Sequence, residues 1–455
     1  MSPPSGDIRQ HETHSALVGQ TDVGETANIE LDLDAIIVPA SRPAPHLDHA
    51  VTLARRAGCW LVVLCSRRVG STGVRRFLAE RSFTKAIVID LPTGYSHELL
   101  EFHHLPSIKG DLPQACGYYV TDLSIKRNLG LVLAQMMRWR RIFFLDDDIR
   151  DISYPDLQST VNMLGSFSAV GMWVTDYPDN SIVCHANRET GGSQDVFVSG
   201  AALAVDCDAD IGFFPDIYNE DWLFFFDDAS NGRLANSSLK ATQLCYYPFA
   251  NPRRAAWQEF GDVLAEGLYA LLHLGLGIQD AKYDYWLSFM ETRRNFLEEI
   301  ASRSAKAHPN MQAELLASVQ SAQKCLLKID PDLCVRYIQL WRQDLDDWKR
   351  RMAGIPEVPS IEVALEDMRL SAPVLESRTA KILNRRDGAA PNITPGPVEI
   401  PRFDTLKGWS KKEASPRDLS PIAVDPAPAS KPQPELELVG SSESAEPEPE
   451  GATVG

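Results

Sequence analysis

Three consecutive aspartates, Asp146, Asp147 and Asp148, directly follow the apolar run RIFFL at residues 141 to 145. Adjacent carboxylates repel one another, so such a cluster costs stability unless a positive charge lies nearby. In an extended segment alternate side chains share one side, which predicts that Asp146 and Asp148 project together while Asp147 faces elsewhere. Two such carboxylates form an oxygen site for Mg²⁺ or Mn²⁺, and the bound ion could bridge a diphosphate. The competing interpretation is a solvated acidic turn without a ligand.

A second acidic pair, Glu220 and Asp221, lies between turn-forming residues and an apolar run in the segment FFPDIYNEDW. The presence of this pair favours the interpretation of the aspartate triplet as a ligand site. Acidic residues in the first turn of a helix also interact favourably with the helix dipole. Helix capping is therefore the alternative explanation for this pair.

Two further segments carry candidate binding residues. Arg127 and Asn128 belong to the segment KRN near the start of a predicted helix, where they could contact a nucleotide or orient the acidic loop. A solvated basic helix face is the alternative. Ser199 and Gly200 lie in FVSGAALAVD, where small residues inside a strand pattern indicate the close approach of a ligand or of another backbone. Simple packing explains the same pattern.

Strand and helix patterns alternate along the first part of the chain. Near-continuous apolar runs predict strands, and apolar residues at helical spacing predict the helices between them. The predicted strands are residues 34 to 41, 59 to 66, 85 to 91 and 141 to 145, and the predicted helices are residues 46 to 58, 73 to 81 and 122 to 139. This alternation predicts a mostly parallel sheet with helices on both faces. In such sheets ligands bind beyond the carboxyl ends of the strands, which is where the aspartates lie.

The remainder of the chain divides by composition. Further strands are predicted at residues 168 to 175, 195 to 206 and 240 to 249, and a helix at residues 219 to 231. Residues 1 to 32 are polar and aperiodic and predict a flexible arm, residues 33 to 252 an α/β domain, and residues 253 to 385 a helical extension or small second domain. Residues 389 to 455 hold 12 of the 30 prolines and end in a glutamate-rich stretch, which predicts a disordered tail.

Composition argues against several classes of protein. A formal net charge of −17 and a sequence pI of about 5.1 argue against nucleic acid as a partner. We find no apolar stretch of the roughly 20 residues that a membrane span requires and no secretory signal at the start. We therefore expect a cytoplasmic protein without a transmembrane segment, with peripheral membrane contact left open.

The 8 cysteines form no CxxC pair and lie mostly in apolar runs, which favours buried thiols over disulfides or zinc ligands.

The order of these motifs resembles that of the GT-A glycosyltransferases, especially the family-2-like group. The matching features are a first strand ending in VPASR, the RN pair in a helix, a strand ending in LDDD, the segment SGAALAVD and the acidic motif NEDW. The resemblance covers roughly residues 34 to 250. It implies a GT-A (nucleotide-diphospho-sugar transferase) fold of the α/β class, with a mostly parallel central sheet followed by a helical C-terminal region and the disordered tail.

The resemblance also implies roles for individual residues. The donor would be a nucleoside diphosphate sugar held through Mn²⁺ or Mg²⁺, with Asp146 and Asp148 as the metal ligands of a DxD motif. Asp221 would act as general base on an acceptor hydroxyl, with inversion at the anomeric carbon, and Glu220 would support acceptor binding. The residues implied to line the donor site are Pro39, Arg42, Arg127, Asn128, Asp146, Ser199 and Gly200. The acceptor, the sugar, the nucleotide base and the oligomeric state are left open.

Three other interpretations stay open at this point. Reversibly glycosylated proteins, and the sugar mutases related to them, also carry three aspartates after an apolar strand. A transferase-like scaffold could bind a partner through the helical half or the acidic tail without catalysis. A phosphatase of the haloacid dehalogenase type also uses two aspartates one residue apart, but here Ile149 and Arg150 follow where that class has a small pair. His273 lies in the apolar run LYALLHLGLG and is expected to be a core residue, not a metal ligand.

Overall fold

Each of the four apolar runs that predict the first strands forms one in the computed structural model, which describes residues 14–19, 31–111, 121–175, 181–193, 198–370 and 374–375. The strands among these residues are β1 (Ala35–Ala40), β2 (Trp60–Cys65), β3 (Ala86–Asp90), β4 (Arg141–Leu145), β5 (Ile149–Arg150), β6 (Ala169–Thr175), β7 (Ala202–Asp206), β8 (Leu234–Gln243) and β9 (Val374–Leu375). The α-helices are α1 (Asp48–Ala57), α2 (Ser71–Glu80), α3 (Leu123–Met136), α4 (Tyr154–Asn162), α5 (Ile182–Glu189), α6 (Glu220–Phe224), α7 (Phe226–Ser230), α8 (Arg253–His273), α9 (Tyr283–Ser302), α10 (Gln312–Leu326), α11 (Pro331–Gly354) and α12 (Ile361–Asp367). Short 3-10 helices span His14–Leu17, Ala44–Leu47, Glu98–Leu100, Leu105–Asp111, Met163–Gly165, Pro248–Ala250, Ile278–Asp280 and Ser304–Lys306.

The strands form one sheet in the order β5-β8-β6-β7-β4-β1-β2-β3-β9. Parallel pairing joins β1 to β2, β1 to β4, β2 to β3 and β6 to β8. Antiparallel pairing joins β4 to β7, β6 to β7, β5 to β8 and β3 to β9. Six of the nine strands in the described part of the chain therefore run in one direction, and β5, β7 and β9 run in the other. The prediction of a mostly parallel α/β sheet is confirmed.

Alternate side chains of the central strands supply two separate cores. In β1, Ile37 packs on the face covered by α3 and the helical half, whereas Ile36 and Val38 pack on the face covered by α1 and α2. Strands that are buried on both faces need apolar residues at nearly every position, which explains the continuous apolar runs in the sequence.

The helices after residue 252 pack against the sheet. Trp286, Trp341 and Trp348 are fully buried and belong to the same apolar core as Phe144 of β4. The apolar core is therefore continuous from the sheet into the helical half. The domain boundary predicted at residue 252 stays a prediction, because a shared core does not by itself define where a domain ends.

Several elements differ from the sequence-based predictions. Strand β8 begins at Leu234, before the predicted start at 240. The prediction missed this part of the strand because its polar stretch NSSLK shows no apolar alternation, although β8 pairs with β6. The helix predicted over residues 219 to 231 is interrupted at Phe225. Strand β7 begins at Ala202, whereas the predicted strand began at 195; residues 194–197 lie outside the described part.

The N-terminal segment is not wholly a loose arm. His14 is 5% exposed, and its Nδ1 forms a hydrogen bond of 2.9 Å with His273 Nε2. Gly19 forms an isolated β-bridge to Ala235 of β8. The prediction of a flexible arm over residues 1 to 32 is therefore wrong for residues 14–19, because a buried histidine and a strand bridge hold this segment against the domain. The tail predicted over residues 389 to 455 lies outside the described residues.

Within the described ranges no helix is long and apolar enough to cross a lipid bilayer. Six cysteines of the same ranges form no disulfide, and of these only Cys245 is exposed. Cys325, in contrast, is disulfide-bonded. The prediction of thiols and not disulfides is therefore wrong for Cys325. No spacing pattern in the sequence indicates that this cysteine forms a disulfide.

Candidate functional site

The candidate site lies where the order of the strands reverses. The chain adds β2 and β3 on one side of β1, and β4 then returns to the other side. Open α/β sheets bind ligands outside the strand ends at such a reversal. The pairing of β1 with β4 ends at Ile37, so Pro39 lies in a stretch of β1 without a β4 partner. A proline is tolerated there because it removes no ladder hydrogen bond to β4.

Four strand ends meet at this edge of the sheet. Arg42 follows β1, Asp146 follows β4 and Gln243 ends β8. Strand β7 is antiparallel to β4, so its first residues lie beside the last residues of β4, and the Asp146 N–H donates to the Ala201 carbonyl oxygen at 2.8 Å. Gly200, which precedes β7, is thereby brought to the same edge.

Asp147 joins the loop after β1 to the end of β4. Its Oδ2 accepts hydrogen bonds from the backbone N–H groups of Ser41 at 2.7 Å and Arg42 at 2.8 Å. The Arg42 guanidinium contacts Asp147 and donates to Asp148 Oδ2 at 2.8 Å. The Arg42 side chain is 38% exposed, so part of its guanidinium stays open to a ligand.

The aspartate triplet is a turn and not an extended segment. The Asp146 carbonyl oxygen accepts from the Ile149 N–H at 3.1 Å, and Asp147 and Asp148 share Arg42 as a partner. The prediction that Asp147 faces away from Asp148 is therefore wrong, because the backbone turns directly after β4 and the period of two no longer applies.

Arg127 holds two acidic segments with one guanidinium. Its Nη2 lies 3.1 and 3.2 Å from the two carboxylate oxygens of Asp146, and its Nη1 donates to Glu220 Oε1 at 2.7 Å. The side chain is 2% exposed, and its Cζ lies 5.4 Å from the centre of the Phe214 ring. Arg127 reaches this edge because α3 begins at the carboxyl side of the sheet and runs back to the start of β4.

Burial raises the proton affinity of several acids here. It is the largest cause that raises the pKa of Asp146 to about 6, and Arg127 acts against it. The neighbouring carboxylates of Asp148 and Asp147 also raise the pKa of Asp146. Burial also raises the pKa values of Asp148 and Glu220, with Arg42 and Arg127 respectively as the largest opposing influence.

Asp221 is oriented by two backbone N–H groups. Its Oδ2 accepts from Gly200 at 2.8 Å and its Oδ1 from Trp222 at 3.0 Å. Burial raises its pKa, against the lowering influence of Arg127. A Cβ atom at Gly200 would lie 2.6 Å from Arg127 Nη1 and 3.0 Å from Asp221 Cβ, so only glycine fits between them. The small residue at this position therefore allows the side chains of Arg127 and Asp221 to pack against it, which is the packing explanation of the pattern, and close approach of a ligand stays a prediction.

Two of the expected donor-site residues form side-chain hydrogen bonds with the protein backbone. Asn128 donates from Nδ2 to the Phe214 carbonyl oxygen and accepts at Oδ1 from the Phe214 N–H, both at 2.8 Å. Ser199 Oγ accepts from the Ala201 N–H at 3.1 Å. These contacts make Asn128 and Ser199 positioning residues, because their side-chain hydrogen bonds fix the chain on either side of the site. Direct contact with a donor stays a prediction.

Oxygen donors for a hard divalent cation are present at this edge. Gln243 is 3% exposed, its Nε2 lies 3.4 Å from Asp148 Oδ2, and its Oε1 is buried without a hydrogen-bond partner in the described structure. The two ends of a glutamine amide are assigned from the hydrogen-bond network, so a turn of the amide would put Oε1 beside Asp148. Neighbouring ligands of octahedral Mg²⁺ are about 3 Å apart, close to this separation. The oxygen atoms of Asp146, Asp148 and Gln243 are of the type that such a cation prefers, and their joint coordination of one ion stays a prediction.

A second group of possible metal ligands lies far along the chain from these residues. His104, Asp344 and Asp347 are close enough in the described structure to share an ion. Asp344, however, accepts from the backbone N–H groups of His103, His104 and Leu105, which accounts for its burial as a cap of the 3-10 helix that follows. Structural capping explains this cluster.

Comparison with known proteins gives a partial likeness to solved structures. No protein-family model matches the chain, and no curated protein matches its sequence. Among solved structures, the chain is similar to the mannosyltransferase PcManGT from Pyrobaculum calidifontis in complex with GDP-Man and Mn²⁺. The match has 14% sequence identity and a TM-score of 0.33, and it covers 72% of this chain and 90% of that chain. A TM-score of this size does not establish a shared fold.

Sequence reasoning missed Gln243 as a site residue. The only signal available was a single amide side chain inside the apolar run TQLCYY. His273, which was expected in the core, is partly buried and its Nε2 lies 2.9 Å from His14 Nδ1. Contacts at one edge of the sheet bring together these predicted residues: Arg42 with Asp148, Arg127 with Asp146 and Glu220, and Gly200 with Asp221.

Proposed function

We propose that this chain is a metal-dependent glycosyltransferase that moves a sugar from a nucleoside diphosphate sugar to an acceptor hydroxyl. The observation that carries the proposal is the meeting of Arg42, Asp146, Asp148 and Asp221 beyond the strand ends at the reversal of strand order. This edge combines carboxylates that would hold a cation, a partly exposed guanidinium and a carboxylate oriented by two backbone N–H groups. Such groups could stabilise a departing diphosphate and accept the proton of an acceptor hydroxyl.

The donor half of the site is the segment around Arg42 and the triplet. Asp146, Asp148 and Gln243 would hold Mn²⁺ or Mg²⁺, which acts as a Lewis acid on the departing diphosphate. Arg42 would donate to the phosphate oxygens from the exposed part of its guanidinium. Asp147 would keep Arg42 in place through the two backbone hydrogen bonds to its loop.

The acceptor half is the acidic pair before α6. Asp221 would take the proton of the acceptor hydroxyl at one carboxylate oxygen, and the N–H groups of Gly200 and Trp222 would keep that carboxylate oriented. Its raised pKa makes it a stronger base than an exposed aspartate. A base acting opposite the leaving group predicts inversion at the anomeric carbon. Glu220, held by Arg127, would support the bound acceptor.

The test uses the purified full chain with Mn²⁺ and a panel of nucleoside diphosphate sugars. We expect one of them to raise the melting temperature only when Mn²⁺ is present, and to release nucleoside diphosphate on incubation with acceptors. Asp148→Asn should lose both effects while staying folded, whereas Asp284→Asn, an exposed change in α9, should keep them. Full activity in Asp148→Asn would overturn the metal assignment.

The same assay separates the competing functions. A mutase would return an isomerised sugar nucleotide without acceptor, and a reversibly glycosylated protein would carry the labelled sugar itself. Proton NMR of the product reports the anomer, and a retained configuration would remove Asp221 from the role of base. A chain that binds no sugar nucleotide with or without Mn²⁺ would be a scaffold.

A further inference from the structure

The backbone just before the acidic pair adopts an uncommon conformation. Asn219 has φ of 62° and ψ of 37°, the left-handed region that residues other than glycine adopt only at a cost in free energy. The direction of Glu220 and Asp221 into the site depends on this turn, because they are the next two residues of the chain. The surrounding structure must therefore hold Asn219 in place.

A buried chain of polar contacts reaches Asn219 from the helical half. Asn219 Nδ2 donates to Asp262 Oδ1 of α8 at 2.9 Å. Asp262 Oδ2 accepts from Arg293 Nη2 of α9 at 2.9 Å, and Arg293 also donates two hydrogen bonds of 2.9 Å to Glu259. Arg293 and Glu259 are 0% exposed and Asp262 is 2% exposed.

Stability alone is a weak explanation for this chain of contacts. Burying two carboxylates and a guanidinium costs desolvation energy, and apolar residues of the same volume often stabilise a core at least as well. Burial raises the pKa of Asp262, against Arg293 as the largest opposing influence. Charged groups, unlike apolar residues, form directional contacts that orient their partners. Arg293 donates to Asp262 Oδ2, and Asp262 Oδ1 accepts the hydrogen bond from Asn219.

Helix α8 also holds both sides of the acidic pair by direct contact. A Cβ atom at Gly261 would overlap the Tyr218 carbonyl oxygen, so α8 rests directly on the backbone before Asn219. After the pair, Tyr269 Oη donates to the Trp222 carbonyl oxygen at 3.0 Å. The segment that carries Glu220 and Asp221 is thus anchored to one helix at both ends.

We infer that the helical half positions the proposed base: Asp262, oriented by Arg293, and Tyr269 hold Asn219 and Trp222 so that Asp221 keeps its place beside Gly200. The role of Asp221 as a base rests on the proposed function. The positioning of its carboxylate by these contacts does not depend on that function. Asn219, Asp262, Tyr269 and Arg293 are positioning residues, since their contacts are with the backbone and side chains next to Asp221 and not with the reacting groups.

The decisive variant is Asn219→Gly, which keeps the left-handed backbone accessible and removes only the side-chain link to Asp262. Misplacing a catalytic group by about 1 Å costs about 100-fold in rate, so we expect kcat to fall about 10- to 100-fold. Donor KM and Mn²⁺-dependent donor affinity should stay within about twofold, because Arg42 and Asp148 are untouched. Tyr269→Phe, which removes the second anchor, should lower kcat in the same way. Glu298→Gln, an exposed change in α9, is the matched control.

A second readout needs no donor. The Gly200 N–H donates to Asp221, and the Trp222 N–H donates to both Asp221 and the Asn219 carbonyl oxygen. Deuterium exchange at Gly200 therefore reports whether the carboxylate is in place, and exchange at Trp222 reports on the whole turn from Asn219 to Trp222. We expect Asn219→Gly to accelerate exchange at both amides about tenfold or more, with Glu298→Gln unchanged. Unchanged exchange together with unchanged kcat would overturn the inference. Faster exchange in a protein whose wild type transfers no sugar would support the positioning and reject the proposed function.

Discussion

Arg127 donates a 2.7 Å hydrogen bond to Glu220, a residue 93 positions later, from the same guanidinium that holds Asp146. One buried cation thus joins the acidic turn after β4 to the acidic pair before α6. The proposed donor and acceptor halves share this residue, and its loss should therefore affect both.

Replacing Arg127 by methionine tests that connection. Arg127→Met leaves Asp146 and Glu220 buried without their direct cationic partner, which should lower the free energy of unfolding by about 3 kcal/mol. Urea unfolding followed by circular dichroism measures the change. Arg76→Met is the control, since the Arg76 side chain is 82% exposed, and it should change stability by less than about 0.5 kcal/mol. Equal stability of the two variants would contradict the bridging role.

The close approach at Gly200 gives a steric prediction. In Gly200→Ala the new methyl group would overlap the Arg127 guanidinium, which cannot move without breaking its pairs with Asp146 and Glu220. We expect a loss of about 1–3 kcal/mol of stability and of sugar transfer. Gly73→Ala in α2 meets nothing within 4 Å and should be neutral or stabilise by about 0.5–1 kcal/mol. Thermal melts and the transfer assay compare the two, and an active, stable Gly200→Ala protein would refute the steric argument.

Gln243 should tune the affinity for the metal ion. Gln243→Leu removes the buried oxygen beside Asp148, and we expect Mn²⁺ affinity without sugar nucleotide to fall about 10- to 100-fold, the size of loss typical when a residue that supports a metal site is removed. Gln243→Glu adds a carboxylate and should bind Mn²⁺ more tightly than the wild type. Isothermal titration calorimetry measures both. Gln320→Leu, an exposed change in α10, is the control, and equal affinity in all four proteins would exclude Gln243 from the site.

The raised pKa of Asp146 gives stability a defined pH dependence. An aspartate in the unfolded chain has a pKa of about 3.9, whereas burial raises the pKa of Asp146 to about 6 in the folded chain. Between these values the folded state binds more protons, so the contribution of Asp146 to the free energy of unfolding falls as pH rises from about 4 to 6. The predicted loss over this interval is about 2 kcal/mol.

Asp146→Asn isolates this contribution because it cannot titrate. The difference in unfolding free energy between wild type and Asp146→Asn should change by that amount between about pH 4 and about pH 6, and should be constant above about pH 7. Urea titrations at several pH values without divalent cations give the difference. A pH-independent difference would show that Asp146 has an ordinary pKa.

The amino-acid sequence by itself determined the parts of this protein that depend on local periodicity. Apolar patterns identified β1 to β4 and the helices between them. The positions of Arg42 and Asp146 just after strands, and of Arg127 near the start of a helix, were enough to predict one ligand-binding edge. Such patterns are readable because a buried strand or an amphipathic helix constrains each residue through its near neighbours.

Only the tertiary structure decided which distant side chains meet at that edge. Asp147 caps the loop after β1, Gln243 lies beside Asp148, and Asp262 holds Asn219. Each of these contacts joins residues between 43 and 106 positions apart, on segments whose distance is set by strand order and helix packing. A polar residue carries no local sign of its partner, because a hydrogen bond depends on where two backbones come together and not on the period of either one.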